Sequence, residues 1–372
     1  MRKFPIALAL LAAACGSSNK AKPDGAGIDD APNGPPLAVV VAGDYMMNSP
    51  GTLAVVNLDT QAVTHPAPAG SVDDDPMIRH FGSDLYIVNR DLANITILDA
   101  TTFTLIDQIS TGTGSNPQDV AVVGNTLYVP VFAGKGVAVL TRGSQTMTTI
   151  DLSADDPDGK PNCNSAYVVG TNVYVSCELL DDTMPSTLPP RGPGKVYVID
   201  STTNTVSTTV TMQNDNPFGI FQPLTSGDLS IPTVNFDSPT GDAGCVEKIT
   251  TSGTPASGGC TANNTQLNGY ASGISIAPQP SGDSVMFLAV SDYPSANLQG
   301  FDLGTSTLWP APISASSELV ESVASCPDGE VVATDGTMAT PGVRIYSGTA
   351  EKTTAPIDIG APTANANAIV CY

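Results

Sequence analysis

Carboxylates are the most abundant ionisable groups in this chain, 36 Asp and Glu against 14 Lys and Arg, and three loops concentrate them. They read Val72-Asp73-Asp74-Asp75-Pro76, Ala154-Asp155-Asp156-Pro157-Asp158-Gly159-Lys160-Pro161-Asn162 and Asn214-Asp215-Asn216-Pro217. Calcium requires hard oxygen ligands at alternate positions and a Gly where the loop turns sharply. Asp156, Asp158 and Asn162, with Gly159 between them, form a fragment of such a loop without its closing bidentate Glu. The competing reading is a plain turn, because Asp, Asn, Gly and Pro are what turns are made of. No cofactor other than calcium is suggested.

The imidazoles are His65 and His80. A nucleophile with a His base, or a metal held by several His, needs more of them than this. His65 is expected in solvent. In Ile78-Arg79-His80-Phe81 one of Arg79 and His80 can point into a central channel, and the plainer reading is that both are packed. The chain has no Gly-x-Ser-x-Gly elbow and no phosphate-binding Gly loop. Trp309 is its only Trp, too few for a quinone-dependent dehydrogenase built from Trp-marked repeats. No two cysteines stand in a two-residue spacing, which argues against zinc. No catalytic residue is assigned, and the chain reads as a binding protein rather than an enzyme.

These groups must be positioned by short strands. The stretch Pro117 to Leu152 holds three apolar, β-branched runs at 119–123, 126–132 and 136–140 and a half-polar run at 146–152, joined by Gly-containing turns. Runs of that length without helical period are strands, and those that lose polar alternation are buried on both faces. The third strand recurs at 52–58, 94–99, 195–200, 245–250, 298–303 and 342–346, and the second at 37–42, 85–89, 172–177, 228–233, 284–290 and 330–334. A four-stranded unit repeating every 40 to 60 residues or so is the signature of a β-propeller blade. The expected fold is all-β, a seven-bladed β-propeller of four-stranded antiparallel blades.

The ends of the chain specify closure. Before Leu37 there is no candidate inner strand for the first blade, whereas Ala364-Asn365-Ala366-Asn367-Ala368-Ile369-Val370-Cys371-Tyr372 follows the expected last outer strand at 353–359 and is patterned like the inner strands. The C-terminal strand is therefore expected to join blade one and close the ring, removing an open edge. Blade positions also rank the 15 pairings that six cysteines allow. Cys163 and Cys177 lie on adjacent strands of blade four, Cys245 and Cys260 bracket a hairpin of blade five, and Cys326 and Cys371 meet where the last blade adjoins the first.

The phrases LYIVNRDLANITILDATTFTLIDQI and KVYVIDSTTNTVSTTV resemble the YVTN-type propeller repeat, with its Tyr-Val pair, Val-Ile-Asp strand and Asn-Thr turn. The resemblance is best over 75–217. It implies the propeller fold and an exported protein, and it implies no particular activity. The likeness to propeller lactonases is one of fold only.

The front end reads as an address. Met1-Arg2-Lys3 precedes an apolar run and the small residues Ala12-Ala13-Ala14, the pattern of an export signal too short to span a bilayer. With Cys15 directly after, it looks like the lipobox of bacterial lipoproteins, which implies lipid on Cys15. Gly16 in place of Asp implies, by the same resemblance, the outer membrane. The expected organisation is a signal over 1–14, lipidated Cys15 with a Gly, Pro, Ser and Asp tether over 15–36, and the propeller over 37–372.

The formal net charge of -22 excludes nucleic acid and anionic membrane surface as partners, leaving contact with the membrane through the lipid only. The expected partner is an envelope protein or other surface ligand. The acidic loops share one face with the loops between second and third strands, of which 178–194 and 235–244 are the longest. Candidate contact residues on that face are Tyr45, Met46, Met47, Leu179, Leu180, Asp181, Asp182, Leu188, Arg191, Asp237 and Tyr293. The alternative is a metal-assisted hydrolase or lactonase with its site at the channel mouth.

Overall fold

Strand burial follows from the alternation of side chains. Every residue of Asp84–Asn89 is buried, whereas Leu105–Ser110 exposes most of its side chains. The first is covered on both faces and the second lies at an outer edge. The computed structural model describes residues 35–44, 49–185, 187–236, 244–278, 284–292, 295–315, 320–337, 340–360 and 366–372. The signal and tether with Cys15, and the candidate contacts Tyr45, Met46, Met47, Asp237 and Tyr293, lie outside the described residues.

Among the described residues the strands form seven four-stranded antiparallel sheets. Blade one contains β1 (Leu37–Asp44), β2 (Ser49–Asn57) and β3 (Val63–Thr64). Blade two is β4 (Pro76–Phe81), β5 (Asp84–Asn89), β6 (Asn94–Asp99) and β7 (Leu105–Ser110). Blade three is β8 (Ala121–Val123), β9 (Thr126–Pro130), β10 (Gly136–Thr141) and β11 (Met147–Asp151). Blade four is β12 (Cys163–Val169), β13 (Asn172–Cys177), β14 (Pro193–Asp200) and β15 (Thr205–Asp215). Blade five is β16 (Gln222–Pro223), β17 (Leu229–Pro232), β18 (Cys245–Thr250) and β19 (Ala256–Asn263), followed by the single-turn helix α1 (Asn264–Leu267). Blade six is β20 (Tyr270–Pro278), β21 (Ser284–Ser291), β22 (Ala296–Asp302) and β23 (Thr307–Leu308). Blade seven is β24 (Val323–Ser325), β25 (Glu330–Asp335), β26 (Gly342–Ser347) and β27 (Ala350–Glu351). The last strand, β28 (Ala366–Cys371), pairs antiparallel with β1 and supplies the inner strand of blade one. The ring is closed as its ends require.

The outer strand of blade seven differs from expectation. Instead of a strand over 353–359, Gly348 turns the chain directly into β27, and Ile357 makes only an isolated bridge with Val343. Pro356 has no N–H to donate in the middle of the expected ladder, which is why it does not extend.

The core is divided into seven layers, each shared by two neighbouring blades. The layer at the closure packs Ala38, Val40 and Val56 of blade one against Val332, Val343 and Ile345 of blade seven. No blade buries its own faces, so stability comes from stacking. Third strands end on a repeated turn. Asp99 Oδ1 accepts from the N–H of Thr101 and Thr102 at 2.9 and 2.7 Å, and Asp200 and Asp302 accept from Thr202 and Thr305 in the same way. These hydrogen bonds hold all three exposed carboxyls below the usual range. In blade six the ring of Trp309 lies where a Cβ on Gly300 would be, 2.4 Å from the nearest ring atom, so that position admits no side chain unless the indole moves.

All three expected disulfides are present, Cys163–Cys177, Cys245–Cys260 and Cys326–Cys371. Such bonds form and persist in oxidising compartments, so they indicate an extracytoplasmic protein. No helix among the described residues is long and apolar enough to cross a membrane.

Candidate functional site

The long loop of blade four is held by charge. Leu180 and Pro190 form an isolated bridge across its base, and Asn162, in the left-handed region with φ 52°, accepts the N–H of Leu180 on Oδ1 at 2.9 Å. At its end the guanidinium of Arg191 sits among three carboxylates. Nη2 lies 2.7 Å from Asp181 and 3.0 Å from Asp158, and Nε 3.4 Å from Asp156. Lys160 and the Asn162 amide both donate to Asp182, at 3.0 and 2.9 Å. The candidate calcium residues Asp156 and Asp158 thus turn toward Arg191, and Asn162 is engaged in loop packing. Among the described residues no three His, Cys, Asp or Glu side chains are grouped so as to hold a metal.

Partial burial acts against the ionised forms of Asp156 and Asp158, and the balance differs between the two. Asp158 stays below the usual carboxylate range because Arg191 and backbone N–H groups outweigh it, whereas for Asp156 desolvation wins and its pKa is raised. Glu178, buried at the root of the loop, is pushed well above the usual range by burial and then by the neighbouring charge of Asp182. Leu179 and Leu180 are 6% and 4% exposed, so these two expected contact residues are packing groups instead. Their hydrophobicity is spent inside the loop. Leu188 is half-buried, and the accessible apolar group is Met184, 50% exposed.

Next to this loop, on the same face, lies an aromatic cluster. Phe218 comes from the connection between blades four and five, Phe236 from the loop after β17, and Tyr270 from the start of β20. Their ring centroids are 5.4 to 6.3 Å apart, with each pair edge to face. Tyr270 is buried and Phe218 half-buried, and together they support Phe236, which is 54% exposed. Sequence reasoning missed this cluster, since the three rings are separated by 18 and 34 positions (218 to 236 to 270). The available signal was Phe236 itself, an aromatic residue inside one of the longest loops.

The acidic loop of blade two is a structural device. Asp73 accepts three backbone N–H groups, from Asp75, Asp91 and Leu92, at 3.0 to 3.1 Å, fastening the loop to the neighbouring turn. Desolvation nevertheless raises its pKa to about 6. A carboxyl whose folded pKa is raised binds protons more readily in the folded state, so its contribution to stability is least favourable above about pH 6 and improves as pH falls toward the unfolded value. A shift of this size corresponds to about 3 kcal/mol at most. We predict that Asp73→Asn, compared with the parent by urea unfolding at pH 7 and pH 4.5, loses relative stability as pH falls. A difference that stays constant or moves the other way would contradict the assignment.

The inner strands line a channel of about 660 Å³. Arg79 lies on its wall and donates from Nε and Nη2 to both oxygens of the buried Asp119, at 2.8 and 2.7 Å. Asp119 also accepts from Ser165 Oγ and the N–H of Ala166, both at 2.9 Å, while Ser165 Oγ accepts the N–H of Phe221. This network joins blades two, three, four and five around the channel. His80 stacks on Tyr372 with ring centroids 4.2 Å apart, and burial lowers its pKa. His65 is exposed beside the outer strand of blade one.

No protein-family model matches the chain, and no curated protein sequence does. Solved structures match in fold. A putative 6-phosphogluconolactonase from Bacteroides uniformis superposes with a TM-score of 0.59 at 14% identity, over 91% of this chain and all of its own (100%). Apo AztD from Citrobacter koseri gives 0.54 at 12% identity, over 91% and 98% of the two chains. Hydrazine synthase from Kuenenia stuttgartiensis gives 0.51 at 15% identity, over 80% and 89%. At such identities the likeness shows the propeller fold alone.

Proposed function

We propose that the protein is a non-catalytic binding scaffold of the bacterial cell envelope, anchored through lipid on Cys15 and built of YVTN-like blades. Its partner is a basic protein segment with apolar side chains, docking on the loop face of blades four to six. The exposed Phe236 carries this reading. A large ring held rigid by two others beneath it offers contact area at little entropic cost, and a few such groups dominate most interfaces. The surrounding charge supports a basic partner, since the chain carries -22 overall and its acidic loops meet on this face. Asp181, Asp182 and Arg191 act by holding the blade-four loop, while Met184 and Leu188 supply apolar contact.

The test is capture of partners from envelope extracts on the disulfide-bonded protein at low and high salt, with affinity for the captured partner then measured. We expect Phe236→Ser to weaken that affinity about 30-fold, the scale of a central aromatic contact, and high salt to weaken it further. A partner held equally by the parent, by Phe236→Ser and by a variant lacking 178–194 would refute the docking face.

A further inference from the structure

Among the described residues, one ionisable side chain lining the channel has no partner. Of the groups facing it, Arg79 is paired with Asp119, and Arg90 with Asp75 at 2.8 Å. Desolvation keeps His80 uncharged at neutral pH and pushes the Tyr167 hydroxyl up to about 12, so it remains protonated. The Tyr372 hydroxyl donates to the carbonyl of Ala100 at 2.7 Å. Glu321 remains. Its backbone is pinned, with its N–H and that of Ser322 donating to Thr334 Oγ1 at 2.9 and 3.0 Å and its carbonyl accepting from Ser272 Oγ at 3.3 Å. Its carboxylate has neither a cation nor a donor among the described residues. The residue is exposed at the rim of the cavity that it helps to line, and desolvation by the surrounding protein raises its pKa.

A carboxylate at the rim of a confined space, without a counter-charge, favours a cation over a neutral or anionic guest. The rest of the wall suits an apolar body, with Met77, Phe221 and Ile274 alongside Tyr167. The volume falls within the range of about 300 to 1,000 Å³ of small-molecule sites. We propose that the channel binds a small organic cation, an ammonium that pairs with Glu321 while its apolar body packs against Met77, Tyr167 and Phe221. Glu321 and Ser272 lie at the end of the channel on the loop face, so the ligand enters there. The site is separate from Phe236, and neither proposal requires the other.

Titration calorimetry of the disulfide-bonded protein tests this with phenethylammonium chloride and two isosteric probes, 2-phenylethanol and phenylacetate. We expect the ammonium to bind at least about tenfold more tightly than either, the scale of one charge-assisted hydrogen bond. Glu321→Gln should reduce it to the level of 2-phenylethanol without lowering the thermal melt, since the charge it removes is one that desolvation disfavours. Affinity in the parent should also fall as acidification protonates Glu321, and any pH dependence left in Glu321→Gln belongs to His80. Equal binding of the three probes, no binding by any of them, or an ammonium affinity unchanged in Glu321→Gln would overturn the site.

Discussion

Removal of residues 366–372 is expected to abolish cooperative folding. The segment is one strand, yet it completes two blade interfaces at once. It pairs with β1 from Ala38↔Cys371 to Ala42↔Ala366, and Leu37 and Tyr372 exchange both backbone hydrogen bonds at 2.9 and 3.0 Å. Ile369 packs in the layer between blades seven and one, and Tyr372 in the layer between blades one and two. Each such side chain contributes about 1.5–3 kcal/mol on burial. The Cys326–Cys371 bond, spanning 45 residues, contributes about 4 kcal/mol more in the chain-entropy model. Together these rival the about 5–15 kcal/mol that keeps an ordinary domain folded. Truncation also leaves β1, apolar from Leu37 to Ala42, as an unpaired edge, which invites aggregation. Circular dichroism melting should therefore show a lost or strongly lowered transition, with precipitation. A truncated protein that melts like the parent would show that the strand is dispensable.

Arg79→Met is expected to be the most damaging single substitution inside the ring. Removing the guanidinium leaves the carboxylate of Asp119, fully buried, without its counter-ion. Breaking a buried pair in this way costs about 3–5 kcal/mol, most of it the penalty of the stranded charge. That origin makes a specific demand. Asp119→Asn in the Arg79→Met background removes the charge and keeps one oxygen, which in the place of Oδ2 still accepts from Ser165 Oγ and the N–H of Ala166, at the cost of the Oδ1 that accepts from the N–H of Val120 in the parent. Urea unfolding should show the double variant regaining much of the lost stability. If it is no more stable than Arg79→Met, the network does not act through the charge of Asp119.

The fold was legible because its information is local and repeated. Second and third strands are buried on both faces, so their runs of Val, Ile and Tyr stand out in every blade. Once those strands are placed, the partner of each cysteine follows from adjacency, which is how Cys326 and Cys371, 45 residues apart, can be paired from sequence. Closure was legible as well, as a first blade short of one strand and a tail patterned like that strand.

The site was less legible, because its contacts join residues distant in sequence and depend on which side of a loop is covered. Leu179 and Leu180 have the composition of contact residues, but Leu179 with φ 56° and the bridge at Leu180 turn both into the loop packing. Arg191 reads as an exposed cation, whereas it replaces a metal as the positive charge among Asp156, Asp158 and Asp181. The Phe218, Phe236 and Tyr270 cluster and the Arg79–Asp119–Ser165 network each draw on different blades. No period or motif connects such residues before the ring is built.

The claim on which the rest depends is that the C-terminal strand closes the ring against blades seven and two. Non-reducing peptide mapping by mass spectrometry of the exported protein tests it most directly. The account predicts a fragment in which the peptide holding Cys326 is joined to the one holding Cys371, with Cys163 joined to Cys177 and Cys245 to Cys260. Cys371 recovered as a free thiol, or joined to any cysteine other than Cys326, would contradict it.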